Sequence, residues 1–219
     1  ETERLQHKLD GVGYLDTVDT YLHVVDVATG ETDRLDEAYG GGAFEDLAGL
    51  QPDWGSHGRI AFCSCRTDRP DDTQVVDVYS VAPDGSDLRK LTDSTLSAAN
   101  PSWSPSGERL AFAASDPDNW CVPMQVYLHD GTTAAERAGD EDRADGDGTE
   151  SDDDEPRGAE SLTAELDRTL ARGADLHWAD ERTLFTRIGD EGRTRLLRVE
   201  TDGTTERAFA AQGEGRALQ

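Results

Sequence analysis

The chain has 219 residues, 35% hydrophobic and 31% charged, with 21 Lys+Arg against 47 Asp+Glu and a net charge of −26. That length carries a real hydrophobic core, in one large or two small domains. The charge excludes a nucleic-acid binder, which needs clustered cations to displace counterions from phosphate, and the short apolar runs exclude a membrane-spanning helix.

The N-terminal stretch Leu22-His23-Val24-Val25-Asp26-Val27-Ala28-Thr29-Gly30, ending at Arg34-Leu35, reads as the back half of a repeating unit. Gln51-Pro52-Asp53-Trp54-Gly55-Ser56-His57-Gly58-Arg59-Ile60-Ala61-Phe62 opens the next. It is restated as Asn100-Pro101-Ser102-Trp103-Ser104-Pro105-Ser106-Gly107-Glu108-Arg109-Leu110-Ala111-Phe112. A decayed copy runs from Ala174 through Trp178 to Phe185. Matching back halves follow, from Val76 to Thr92 and from Leu196 to Gly203.

Each unit reads as four antiparallel strands. The Pro-x-Trp segment is the first, with an indole large enough to wedge between neighbouring sheets. Ser104-Pro105-Ser106-Gly107 turns the chain, because Pro presets φ and Gly suits the fourth turn position. Leu110, Phe112 and Ala114 alternate with Ala111 and Ala113, so the second strand is apolar on both faces and is expected to be buried. Val-x-Val-Tyr is the third strand. Asp84-Gly85 and Asp202-Gly203 make the hairpin into a fourth that closes at Leu-Thr.

Trp54 and Trp103 are 49 residues apart, the period of a four-stranded propeller blade. The 75 residues from Trp103 to Trp178 then require an insertion. The expected fold is all-β, a β-propeller segment of about four blades in an incomplete ring. The expected units are roughly residues 1–38, 50–93, 100–165 and 174–210. Residues 136–158, dense in Asp, Glu and Gly, are expected to be a disordered acidic insert on a blade edge. Within it Asp145-Gly146-Asp147-Gly148 has the flavour of a calcium loop, but the matching frame puts Arg143 where the first ligand belongs.

The three cysteines are too few and too oddly numbered for a disulfide framework. Cys63 and Cys65, on one face of a strand, read as small buried hydrophobes. No metal or cofactor is expected. No catalytic residue is assigned either: no Gly-x-Ser-x-Gly elbow occurs, and His7, His23, His57, His129 and His177 all fall in strands or turns of the repeat. Gly40-Gly41-Gly42 reads as a flexible connection rather than an oxyanion loop. Asp53 and Asp175 are placed beside the inner-strand Trp, with Ser102 in the equivalent place between them, and are read as solvated channel residues.

The pattern from Pro101 to Phe112 resembles the TolB-type propeller repeat. His7 to Tyr14, Leu22 to Gly30 and Ser161-Leu162-Thr163-Ala164-Glu165-Leu166-Asp167-Arg168 are similar to the mid-propeller of acylaminoacyl peptidases, in the prolyl oligopeptidase family of serine peptidases. That resemblance implies a seven- or eight-bladed propeller joined to an α/β-hydrolase domain that carries Ser, Asp and His. It further implies a propeller that caps the active site and admits only short or unfolded peptides. The chain is then expected to be the non-catalytic gate of such a peptidase, meeting peptide substrate through the fused hydrolase domain. A free-standing protein-interaction propeller is the alternative, and self-association is left open.

Only Lys8 and Lys90 are lysines, and this Asp-rich, Lys-poor composition resembles that of proteins from salt-accumulating archaea. Dense carboxylates keep a surface hydrated where multimolar salt screens their repulsion. With no charged-then-apolar leader at its start, the sequence reads as cytoplasmic.

Overall fold

The apolar runs Ile60–Ser64 and Leu110–Ser115 are buried on both faces, as second strands enclosed between sheets. In the computed structural model, residues 8–9, 13–14, 20–35, 49–119, 121–131 and 159–208 are described. Residues 136–158, the expected acidic insert, lie outside them, as do the glycines at 40–42 and His7.

A short hairpin pairs β1 (Lys8–Leu9) with β2 (Gly13–Tyr14). The first blade is represented by β3 (His23–Val25) and β4 (Thr32–Arg34). The second is β5 (Asp53–Trp54), β6 (Ile60–Ser64), β7 (Asp77–Val81) and β8 (Arg89–Lys90). The third is β9 (Ser97–Trp103), β10 (Leu110–Ser115), β11 (Gln125–His129) and β12 (Ala159–Ser161). The fourth is β13 (His177–Trp178), β14 (Thr183–Asp190), β15 (Arg193–Glu200) and β16 (Thr205–Arg207). Each full blade is an antiparallel meander in chain order, and among the described residues no strand pairing closes the row into a ring. The only helical turn among them is the 3-10 turn Pro70–Asp72. The all-β propeller expectation holds.

Period-two alternation builds the core between blades. On β6, Ile60 and Phe62 face back onto Leu22, Leu35 and Leu50, while Ala61 and Cys63 face forward onto Leu110, Phe112 and Ala114. On β10 the other face, Ala111 and Ala113, meets Leu184 and Ile188 of the next blade. The two seams that flank β10 thus set large residues against small ones, the packing that fills space at crystal-like density. Cys63 and Cys65 are buried and unbridged, and Cys121 is exposed.

The Leu-Thr closure has a hydrogen-bonding reason. Leu91 donates its amide to Val78 O, and Leu162 does the same to Val126 O, as the last rungs of the outer strand. The following threonine hydroxyl then accepts the amide of the third strand: Val78 N to Thr92 Oγ1 and Val126 N to Thr163 Oγ1, both 3.0 Å. A buried amide at the end of its ladder is satisfied by a side chain. Thr92 also donates to Asp77 Oδ1 at 2.7 Å, and that carboxylate, 2% exposed, takes Ser94 and Lys90 as further partners.

The Asp-Gly hairpins form as expected. Asp84 and Asp202 accept the amides of Ser86 and Thr204 at 3.0 and 2.9 Å. Gly85 adopts φ +82°, and a Cβ there would lie 2.5 Å from Leu35 O of the preceding blade. Glycine is therefore required twice at that position, by backbone sign and by close approach.

His129 ties the third blade to the second, and Asp190 ties strands of the fourth blade to the segment that precedes it. His129, 1% exposed, accepts the Gly131 amide on Nδ1, so Nε2 carries the proton and donates to Leu91 O at 2.9 Å. Asp190 gathers three guanidinium groups: Arg168 Nε at 2.7 Å, Arg195 Nε at 2.9 Å and Arg207 Nε at 3.3 Å. The Arg168 hydrogen bond, with the positive charge of the three, holds the Asp190 carboxyl below its ordinary range.

Candidate functional site: the cleft on the inner strands

The first strand of each full blade ends in a tryptophan, and the strand register makes the three equivalent. Trp54 pairs with Ile60, Trp103 with Leu110, and Trp178 with Leu184. The amide after each tryptophan closes the same turn: Gly55 N to Arg59 O, Ser104 N to Arg109 O, Ala179 N to Thr183 O. These inner strands converge on a cleft of about 580 Å³ walled by Pro52, Pro101, Trp103, Leu176 and Trp178.

The residue order Asp175-Leu176-His177-Trp178, with the same register, corrects one placement. Asp53 pairs with Ala61, Ser102 with Ala111, and His177 with Phe185. The residue beside the third tryptophan is therefore His177, not Asp175. Asp175 lies two residues earlier and still lines the cleft, with its carbonyl accepting the Thr186 hydroxyl at 3.0 Å. Asp175 and His177 are exposed, and Asp53 and Ser102 are half-buried.

Much of the polar chemistry around the cleft joins blade to blade. Asp53 Oδ2 accepts the Trp103 amide at 2.7 Å, and Gln51 Oε1 accepts that of Asn100 at 2.6 Å. Asn100 Nδ2 donates to Ala174 O at 2.8 Å, and Trp178 Nε1 to Ser102 O at 3.0 Å. At the turns, Ser56 Oγ donates to Pro105 O at 2.6 Å, and Glu181 accepts both the amide and the hydroxyl of Ser106. Arg109 reaches Glu181 O and lies over the Trp178 ring. The serines of these turns are thus engaged as links between blades.

The wedge expected of the tryptophan is realised at Trp103, which is 7% exposed, whereas Trp54 is 56% exposed. The His57 ring meets Trp103 edge-on, centroids 4.5 Å apart, and backs directly against Gly107. Burial, then the positive charge of Arg59, lowers the His57 pKa and keeps the imidazole neutral. A Cβ on Gly107 would collide with that ring, and its φ of +78° also favours glycine. The slot for His57 was not readable from one unit, because its walls come from the next. Among the described residues, no cluster of three or more His, Cys, Asp or Glu is placed to hold a metal ion.

Stacked four-stranded meanders with tryptophan-ended inner strands around a common cleft define a segment of a β-propeller. Solved structures of that class are similar over most of the chain. Acylaminoacyl peptidase from Pyrococcus horikoshii aligns at TM-score 0.61 and 17% identity, over 96% of this chain and 27% of that one. TolB from Acinetobacter baumannii aligns at 0.52 and 16% identity, over 85% of this chain and 37% of that one. The propeller domain of the trilobed protease from Pyrococcus furiosus aligns at 0.50 and 15% identity, covering 84% and 44%. At these identities the likeness is one of fold, and the aligned part covers less than half of each solved chain. No family model matches the sequence, and no curated protein does. No helix among the described residues is long and apolar enough to cross a membrane.

Proposed function

We propose that this chain is the propeller portion of a cytoplasmic serine peptidase of the prolyl oligopeptidase family. Its part is to restrict peptide access to a hydrolase domain outside these 219 residues. The observation that carries the reading is the extent of the likeness: 96% of the chain falls within about a quarter, 27%, of the P. horikoshii acylaminoacyl peptidase. A puromycin-hydrolysing peptidase of Mycobacterium tuberculosis is similar over 91% of this chain at TM-score 0.55. The sequence motifs from Leu22 to Gly30 and Ser161 to Arg168 point the same way.

The geometry suits a selective passage. A cleft of mixed lining, with Trp103 and Trp178 beside Asp53, Asp175 and His177, admits an extended, partly solvated chain, and its blade-to-blade bonds hold the wall rigid. Selection is then by size, and bond cleavage belongs to the hydrolase domain.

Two preparations test this: residues 1–219 alone, and the full product of the gene. Each is assayed with N-acyl-aminoacyl and peptidyl chromogenic substrates and labelled with a fluorophosphonate. The isolated chain is expected to be inactive and unlabelled, and the full product to be labelled on a serine outside 1–219. Labelling of the isolated chain would overturn the reading. A gene encoding no hydrolase domain would replace it with the interaction propeller.

A further inference from the structure

The fourth blade breaks the repeat on one face. In the second and third blades, the second strand turns small apolar residues toward the next blade: Ala61 and Cys63, then Ala111 and Ala113, all at most 2% exposed. Register puts Phe185 and Arg187 at those positions in the fourth. Arg187 is exposed, donates to Gly173 O at 2.7 Å, and makes no ion pair among the described residues. Beside it on β15, Leu196 pairs with Arg187 and Arg198 with Phe185, so the same face carries a second arginine. A cleft of about 530 Å³ opens there, lined by Arg182, Arg198, Glu200 and Thr204 among others.

We infer that this face docks a further unit of the same repeat, and that the docking unit presents a carboxylate to Arg187. Two successive seams in this chain, from the second blade to the third and from the third to the fourth, are covered in the same manner, with large residues of one blade on small residues of the last. A further seam built that way encloses position 187 as those two enclose 63 and 113. Enclosing a guanidinium without a counter-charge is strongly unfavourable, whereas a paired one is tolerated. Phe185 fills volume that Ala61 and Ala111 leave open, so the facing side chain must be smaller than Phe112. This inference follows from the repeat and does not rest on the peptidase reading.

A benzophenone amino acid at position 185, in the protein as its gene encodes it, tests the occupant by photo-cross-linking and peptide mass spectrometry. An intramolecular cross-link to a repeat-type strand bearing Asp or Glu is expected. A cross-link to a second copy, to a segment lacking the repeat, or to nothing would overturn the inference. The ion pair is tested separately in that protein by Arg187→Glu, with Arg193→Glu on the exposed hairpin of the same blade as the charge control. Arg187→Glu is expected to lower Tm clearly more than the control. Equal losses would overturn the carboxylate assignment.

Discussion

The imidazole of His57 stands edge-on to the indole of Trp103, 4.5 Å between centroids, across the seam between two blades. Neither residue reaches the other through its own sheet; each is delivered by the turn or inner strand of its own blade. The contact converts two copies of one local motif into a joint between copies.

That joint makes stability pH-dependent with a definite sign. Burial and Arg59 depress the His57 pKa in the folded state, while the unfolded value is about 6.5. Above that value the ring is neutral in both states and the contribution is whole. As pH falls below it, the unfolded chain binds a proton that the folded chain refuses, so stability drops until the folded pKa is passed. Unfolding midpoints in urea between pH 7.5 and 5 should therefore fall more steeply for the native sequence than for His57→Asn. Parallel profiles would refute this, and carboxylates do not confuse the window because they titrate nearer pH 4.

Thr163 and Thr92 offer a graded pair. Thr163→Val leaves the buried Val126 amide without its acceptor, at a cost of about 1–3 kcal/mol. Thr92→Val removes the same acceptor from Val78 and also a donor to the buried Asp77 carboxylate, so it should be the more damaging. Serine at either position restores the hydroxyl and most of the loss. Equilibrium unfolding in urea orders the variants, and equal effects at the two sites would remove Asp77 from the explanation.

Net charge sets the third expectation. At −26, carboxylate repulsion opposes the compact state, and salt shortens its range from about 10 Å at 0.1 M to about 3 Å at 1 M. Thermal melts in potassium chloride should move upward from ~0.1 M to multimolar concentrations, where screening is nearly complete. A Tm that stays level or falls would mean that the acidic surface is not a salt adaptation.

The sequence by itself determined what is local. Alternation of Leu110, Phe112 and Ala114 with Ala111 and Ala113 specified a strand buried on both sides, and Asp84-Gly85 specified the hairpin from β7 to β8 in the preceding blade, because side-chain period and backbone sign are written in neighbouring residues. The repeat of tryptophans then implied stacked blades. Tertiary structure alone decided which residues meet across seams. Trp178 with Ser102, Glu181 with Ser106 and His57 with Gly107 are separated by some fifty or more residues, and nothing within one unit encodes its neighbour's surface. Asp175 is not a case of that limit: the order Asp175-Leu176-His177-Trp178 already sets His177 beside the tryptophan, and the pairing of His177 with Phe185 agrees. What only the tertiary structure decided there is the facing wall, because Pro101 and Trp103 of the preceding blade line the same cleft as Asp175.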